Sequence, residues 1–159
     1  MRDPRPTPDL KICGITDPEQ AQAIAQMGVQ AIGVIGVPAT PRFVEPAQRR
    51  ALFQLLEQEH PQLHRVWVVA DPDDAAIEEA LNGAGQPSVV QLHGSESDER
   101  CQNLKHRHPR QQWWKALRVR EPDDLKQLEH YAPHVNALLL DAWSADQLGG
   151  TGHRIPLDL

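Results

Sequence analysis

Six short apolar runs punctuate the chain, separated by longer segments whose apolar positions recur every three or four residues. The runs are LKICG at residues 10–14, AIGVI at 31–35, RVWVVA at 65–70, SVVQL at 88–92, WWKAL at 113–117 and ALLLD at 137–141. Most are continuously apolar rather than alternating, the pattern of strands covered on both faces. The segments between them read as amphipathic helices. The first takes Asp17 as N-cap, Pro18 as its first residue and Gln20 at the third position. It buries Ala21, Ile24 and Ala25 and stops at Gly28. A second helix is expected over 46–58, with Leu52, Leu55 and Leu56 on one face. A third follows Pro72 and Asp73, a fourth covers 96–107 and a fifth 122–128.

Strict strand–helix alternation predicts a parallel sheet with right-handed crossovers. The runs begin roughly 25 residues apart, the beat of a compact βα unit in a (β/α)8 barrel. Six units are legible before Leu159. The expected fold class is therefore α/β of the (β/α)8 TIM-barrel type with about six units present. Residues 1–9 form a polar extension, and 10–159 a partial barrel domain lacking the last two strands. An open doubly wound sheet is the alternative, but no GxGxxG follows the first run.

Composition narrows the function classes. The chain has 159 residues, 24% charged and 40% hydrophobic, with a formal net charge of −6. That balance disfavours nucleic-acid or anionic-membrane binding, both of which need a large positive surface term. A small anionic substrate needs only a few local cations. No apolar stretch approaches the ~20 residues of a membrane span, and the opening MRDPRPTPDL lacks a signal peptide's apolar core. Only Cys13 and Cys101 occur, without CxxC spacing. No disulfide framework or metal site is expected, and a reducing cytoplasm is the default.

In parallel βα folds reactive groups gather at the carboxyl ends of the strands. Here those ends offer Cys13, Arg42 in a proline-flanked loop, Asp71, His93, then Lys115 with Arg118 and Arg120, and finally Asp141 ahead of GGTG at 149–152. Such a set suits acid–base work on an anion. Each member also has a plain reading. Cys13 fits a small core hydrophobe, Asp141 a helix cap, Arg42 an ordinary loop charge and His93 a loop hydrogen-bonder. GGTG reads either as a turn or as a phosphate cradle. His60 and His64, at helical spacing, and the histidine-rich KHRHPRQQWWK lack a convincing ligand set. Cys101 falls in a polar helix.

The stretches KICGIT, AIGVI with TPRFVEP, VQLHG, WKALRV, and LLLDAW with GGTG together resemble the phosphoribosylanthranilate isomerase family of tryptophan biosynthesis, in order and spacing. Three departures stand out. Ile35, Gly36 and Val37 replace a phenylalanine-rich strand end, Asp71 replaces an asparagine, and the family's seventh and eighth strands do not appear.

The resemblance implies an Amadori rearrangement of N-(5-phosphoribosyl)anthranilate to 1-(2-carboxyphenylamino)-1-deoxyribulose 5-phosphate, without a metal or organic cofactor. It implies Asp141 as the acid that opens the furanose and Cys13 as the base at C2′. Arg42 would clamp the anthranilate carboxylate, with His93 and Lys11 in the same pocket and Gly149, Gly150 and Gly152 at the phosphate. Lys11 or a helix dipole would lower the thiol pKa, while burial and the substrate's anionic groups would raise that of Asp141. A non-catalytic remnant serving as a binding or assembly module is the competing reading. In either case the open barrel edge invites self-association or a complementing fragment.

Overall fold

A computed structural model describes residues 9–142. Six strands are connected in chain order: β1 (Lys11–Cys13), β2 (Ala31–Ile35), β3 (His64–Val69), β4 (Val89–Leu92), β5 (Gln112–Val119) and β6 (Ala137–Ala142). Every neighbouring pair is parallel, and the sheet order is β1 to β6 without a crossover. The helices are α1 (Pro18–Gln26), α2 (Pro46–Glu59), α3 (Asp74–Ala80), α4 (Asp98–Arg107) and α5 (Gln127–Tyr131). The result is a half-barrel of the (β/α) type, and no helix among the described residues is long and apolar enough to cross a membrane.

Local chemistry sets the helix starts. Asp17 accepts the Gln20 amide at 2.9 Å, Asp73 that of Ala76 at 2.8 Å, and Ser97 that of Arg100 at 3.1 Å. Each satisfies an amide that the first turn leaves unpaired. Two boundaries differ from the sequence reading. Helix α4 begins after Ser97 rather than at Glu96, because the serine takes the cap. The segment expected as a fifth helix over 122–128 instead starts as a 3₁₀ turn, Pro122–Lys126, before α5.

Side-chain alternation divides the sheet into two faces. The outer face carries Ile32, Val34, Trp67, Val69, Val90, Leu92 and Trp113, which pack against Leu52, Phe53 and Leu56 of α2, Ile77 of α3, and Cys101 and Leu104 of α4. Deep burial of large side chains here is the main stabilising contribution, about 1.5–3 kcal/mol for each of the aliphatic and phenyl groups. The inner face is a smaller cluster of Ala31, Ile35, Val66, Val68 and Val89, with Cys13, Val37 and Trp114 partly covered beside it. At the two edge strands of the described sheet Leu10 and Leu140 are exposed.

Candidate active site

The inner face opens at the carboxyl end of the strands into a cleft of about 270 Å3. Lys11 and Cys13 of β1, Arg42 of the loop after β2, Gln91 and His93 at the end of β4, and Asp141 of β6 all line it. Five sequence-predicted positions, Lys11, Cys13, Arg42, His93 and Asp141, therefore share one cleft. Gly149, Gly150 and Gly152 lie outside the described residues.

Cys13 ends β1 on the inner face because it pairs with Gly33 of β2. A Cβ at Gly33 would stand 2.7 Å from Cys13 Sγ, so only glycine leaves the thiol room there. The thiol is partly accessible and free. Arg42 is carried by a loop that folds back on β2. Thr40 Oγ1 donates to the Val37 carbonyl at 2.9 Å, the Val44 amide donates to Ile35 at 2.9 Å, and Phe43 bridges to Ile35. The guanidinium thus crosses Gly14, and its Nη1 donates to the Cys13 carbonyl at 3.3 Å. This exposed side chain lines the cleft, and a guanidinium there is suited to a carboxylate.

Opposite the thiol, His93 Nε2 lies 3.1 Å from Asp141 Oδ2. His93 is buried at 9% exposure and Asp141 is half-buried. The hydrogen bond from His93 holds the Asp141 carboxyl below the ordinary carboxylate range, against the opposing effect of burial. The charge of His93, the Ala142 amide and the Arg118 charge act in the same direction as that bond. Burial does raise the Asp141 carboxyl as expected, but in the free cleft the net direction is downward because of His93. The partner imidazole outweighs desolvation because the carboxylate is hydrogen-bonded in its charged form. Lys11 and Arg42 give the cleft two cations besides this pair, a balance that suits an anionic ligand.

Other expectations need correction. Lys115 is not at a strand end: β5 runs on to Val119, which places Lys115 in mid-strand on the outer face, where it pairs with buried Glu96. Asp71 does not line the cleft either. Its carboxylate turns to the loop after β4 and accepts the Ser95 amide at 2.8 Å. His60 caps α2, whereas His64 opens β3 and stands edge-on to Trp114, so the two share no helix face. Cys101 is fully buried, and burial pushes its thiol up to about 11. Sequence reasoning missed two residues. Gln91 is 3% exposed, lines the cleft and leaves its Oε1 without a partner among the described residues. Glu96, included in the segment expected as the fourth helix, instead lies buried ahead of the capping Ser97 and meets Lys115.

Parallel βα architecture with a thiol, an arginine and an imidazole–carboxylate pair at one strand-end cleft defines a protein of the (β/α)-barrel class, with its candidate site at the end of the strands where that fold carries such groups. The model of the PRAI family, N-(5'-phosphoribosyl)anthranilate (PRA) isomerase, matches residues 10–159, and the chain belongs to that family. It is 45% identical over 146 residues to the N-(5'-phosphoribosyl)anthranilate isomerase of Gloeobacter violaceus, covering 92% of this chain and 64% of the relative. It is likewise 45% identical over 143 residues to the Synechococcus elongatus isomerase, covering 90% and 65%. The chain thus spans somewhat under two thirds of the length of these relatives. Among solved structures, the phosphoribosyl anthranilate isomerase of Thermotoga maritima superposes with a TM-score of 0.76 at 27% identity, covering 89% of this chain and 64% of that one. A phosphoribosyl anthranilate isomerase in complex with reduced 1-(o-carboxyphenylamino)-1-deoxyribulose 5-phosphate gives 0.73 at 28% identity, with 86% and 66% covered.

Proposed function

We propose that this chain carries the acid–base half of a phosphoribosylanthranilate isomerase site, acting in tryptophan biosynthesis on N-(5-phosphoribosyl)anthranilate. The single observation that supports the reading most is the meeting of Cys13, Arg42, His93 and Asp141 in one cleft of a chain from this family. Arg42 binds the anthranilate carboxylate through its guanidinium donors. Asp141 delivers a proton to the furanose ring oxygen as the bond from that oxygen to C1′ breaks, and the anilino nitrogen pushes its electron pair in to form an iminium. The Cys13 thiolate then takes the C2′ proton. The C–H electron pair forms the C1′–C2′ double bond, and the imine electrons return to nitrogen. The resulting enolamine ketonises as C1′ takes a proton and the C2′ hydroxyl gives up its own, so that the C2′ oxygen becomes the ketone and no net proton is gained.

Because Asp141 is held as a carboxylate in the free cleft, its acid role requires it to take up a proton as the substrate enters, and the substrate's carboxylate and phosphate favour that uptake by raising the proton affinity of a nearby carboxyl. Gly149, Gly150 and Gly152 are assigned to the phosphate end, and Lys11 to the same anionic substrate. The exposed edges at Leu10 and Leu140 are the surfaces for self-association or a complementing segment.

The test is to incubate the purified 159-residue chain, in excess, with N-(5-phosphoribosyl)anthranilate and quantify the aminoketose product. Product formation that is lost on Cys13→Ala and on Asp141→Asn supports the reading. No conversion above the buffer rate contradicts it.

A further inference from the structure

Behind the cleft, on the helix side of the sheet, Lys115 Nζ stands 2.8 Å from Glu96 Oε2, and each side chain is only 2% exposed. Two charges withdrawn from water are costly unless their remaining donors and acceptors are also satisfied. Here that satisfaction comes from one turn. Glu96 accepts the Asp71 amide at 2.7 Å and the Gly94 amide at 3.2 and 3.0 Å, while Lys115 Nζ donates to the Gly94 carbonyl at 2.8 Å. The Tyr131 hydroxyl donates to the Glu96 carbonyl at 3.0 Å, and its ring lies 5.7 Å from Lys115 Nζ. Both backbone groups of Gly94 are thereby fixed by the ion pair. Gly94 is the residue after His93, whose own amide is anchored on Val69 at 2.7 Å. A Cβ at position 94 would stand 2.5 Å from Asp71 Oδ2, so the turn also has no room to shift.

We propose that the buried ion pair of Glu96 and Lys115 is a positioning device for the cleft: by fixing Gly94 it sets the direction of His93 and, through His93, that of Asp141. Neither residue lines the cleft, and neither takes part in the proton transfers above. A buried ion pair is often no more stabilising than apolar residues of the same volume. Its hydrogen bonds here run to the turn that presents His93, which gives the pair a task beyond stability. The catalytic consequence rests on the isomerase reading; the geometric claim does not.

The experiment reads His93 directly in the full 159-residue chain, through its imidazole 15N signals with and without Asp141→Asn. In the otherwise unaltered chain that substitution moves the His93 signals. In Glu96→Gln, which sets an amide donor among donors, the response shrinks by about threefold or more. Gly94→Ala, which leaves the ion pair intact but displaces the turn, gives the same loss and decides the matter if Glu96→Gln fails to fold. Leu104→Ala, in the same helix–sheet layer but away from the turn, keeps the full response despite its lowered stability. In the isomerisation assay Glu96→Gln lowers kcat by about 10- to 100-fold with KM within about threefold. Full His93 response in folded Glu96→Gln and Gly94→Ala overturns the proposal. If the unaltered chain shows no turnover, the isomerase reading fails, and the imidazole response still decides the positioning claim.

Discussion

His93 and Asp141 meet at 3.1 Å although they stand 48 positions apart in sequence, His93 just past the end of β4 and Asp141 on β6, strands separated by β5. The contact therefore spans the curved inner face. It ties Asp141 of β6 to the turn after β4, which makes the protonation of Asp141 a property of two elements rather than of one side chain.

The depressed Asp141 pKa makes a signed statement about stability. A carboxylate whose folded pKa lies below its unfolded value of about 3.9 contributes stability above that value and loses it as pH falls through the folded pKa. The melting-temperature gap between the chain and Asp141→Asn is therefore expected to close as pH falls below about 5. Thermal melts across that range check it. A gap that widens on acidification would contradict the assignment.

The two cysteines are expected to part company under alkylation. Cys13 is partly accessible at the cleft, whereas Cys101 is fully buried with its thiol pushed up to about 11. Since the thiolate is the nucleophile, iodoacetamide at pH 8 adds one carbamidomethyl group to the folded chain, on Cys13, as peptide mass spectrometry reads it. Equal labelling of Cys101 in the folded chain would refute the placement of the two thiols.

Much of the fold is legible in the sequence because apolar runs and caps carry their own signals. The run AIGVI becomes β2 without a change of boundary, and Asp17 caps α1 as its spacing with Gln20 requires. The cleft is legible in outline for the same reason: strand ends collect at one rim, so Cys13, His93 and Asp141 follow once the strands are placed. What the sequence withholds is the third dimension. No local pattern tells that Lys115 lies in the outward register of β5, or that Glu96 precedes its helix and turns inward to meet it. Nor does it reveal that the Asp141 carboxylate faces an imidazole, which reverses the direction of its pKa shift.

Arg42 separates binding from chemistry. Its guanidinium lies over Gly14 and donates to the Cys13 carbonyl; under the proposed function, Arg42→Ala removes a substrate contact made before the transition state. KM is expected to rise by about 10- to 100-fold with kcat changed far less, the loss of one charge-assisted interaction worth about 1.5–3 kcal/mol. Initial rates over a range of substrate concentrations decide it; an unchanged KM would remove Arg42 from the site.

The most direct measurement compares single-turnover rates, with chain in excess over N-(5-phosphoribosyl)anthranilate, for the unaltered protein, Cys13→Ala, Asp141→Asn and Cys101→Ala. If Cys13 and Asp141 carry the proton transfers, each of the first two substitutions slows conversion by about 100-fold or more, the scale of general acid–base catalysis. Cys101→Ala, remote from the cleft, stays within about threefold, and the binding of reduced 1-(o-carboxyphenylamino)-1-deoxyribulose 5-phosphate changes little in any of them. A Cys13→Ala rate equal to that of Cys101→Ala would show that the thiol at the end of β1 is packing and not the base.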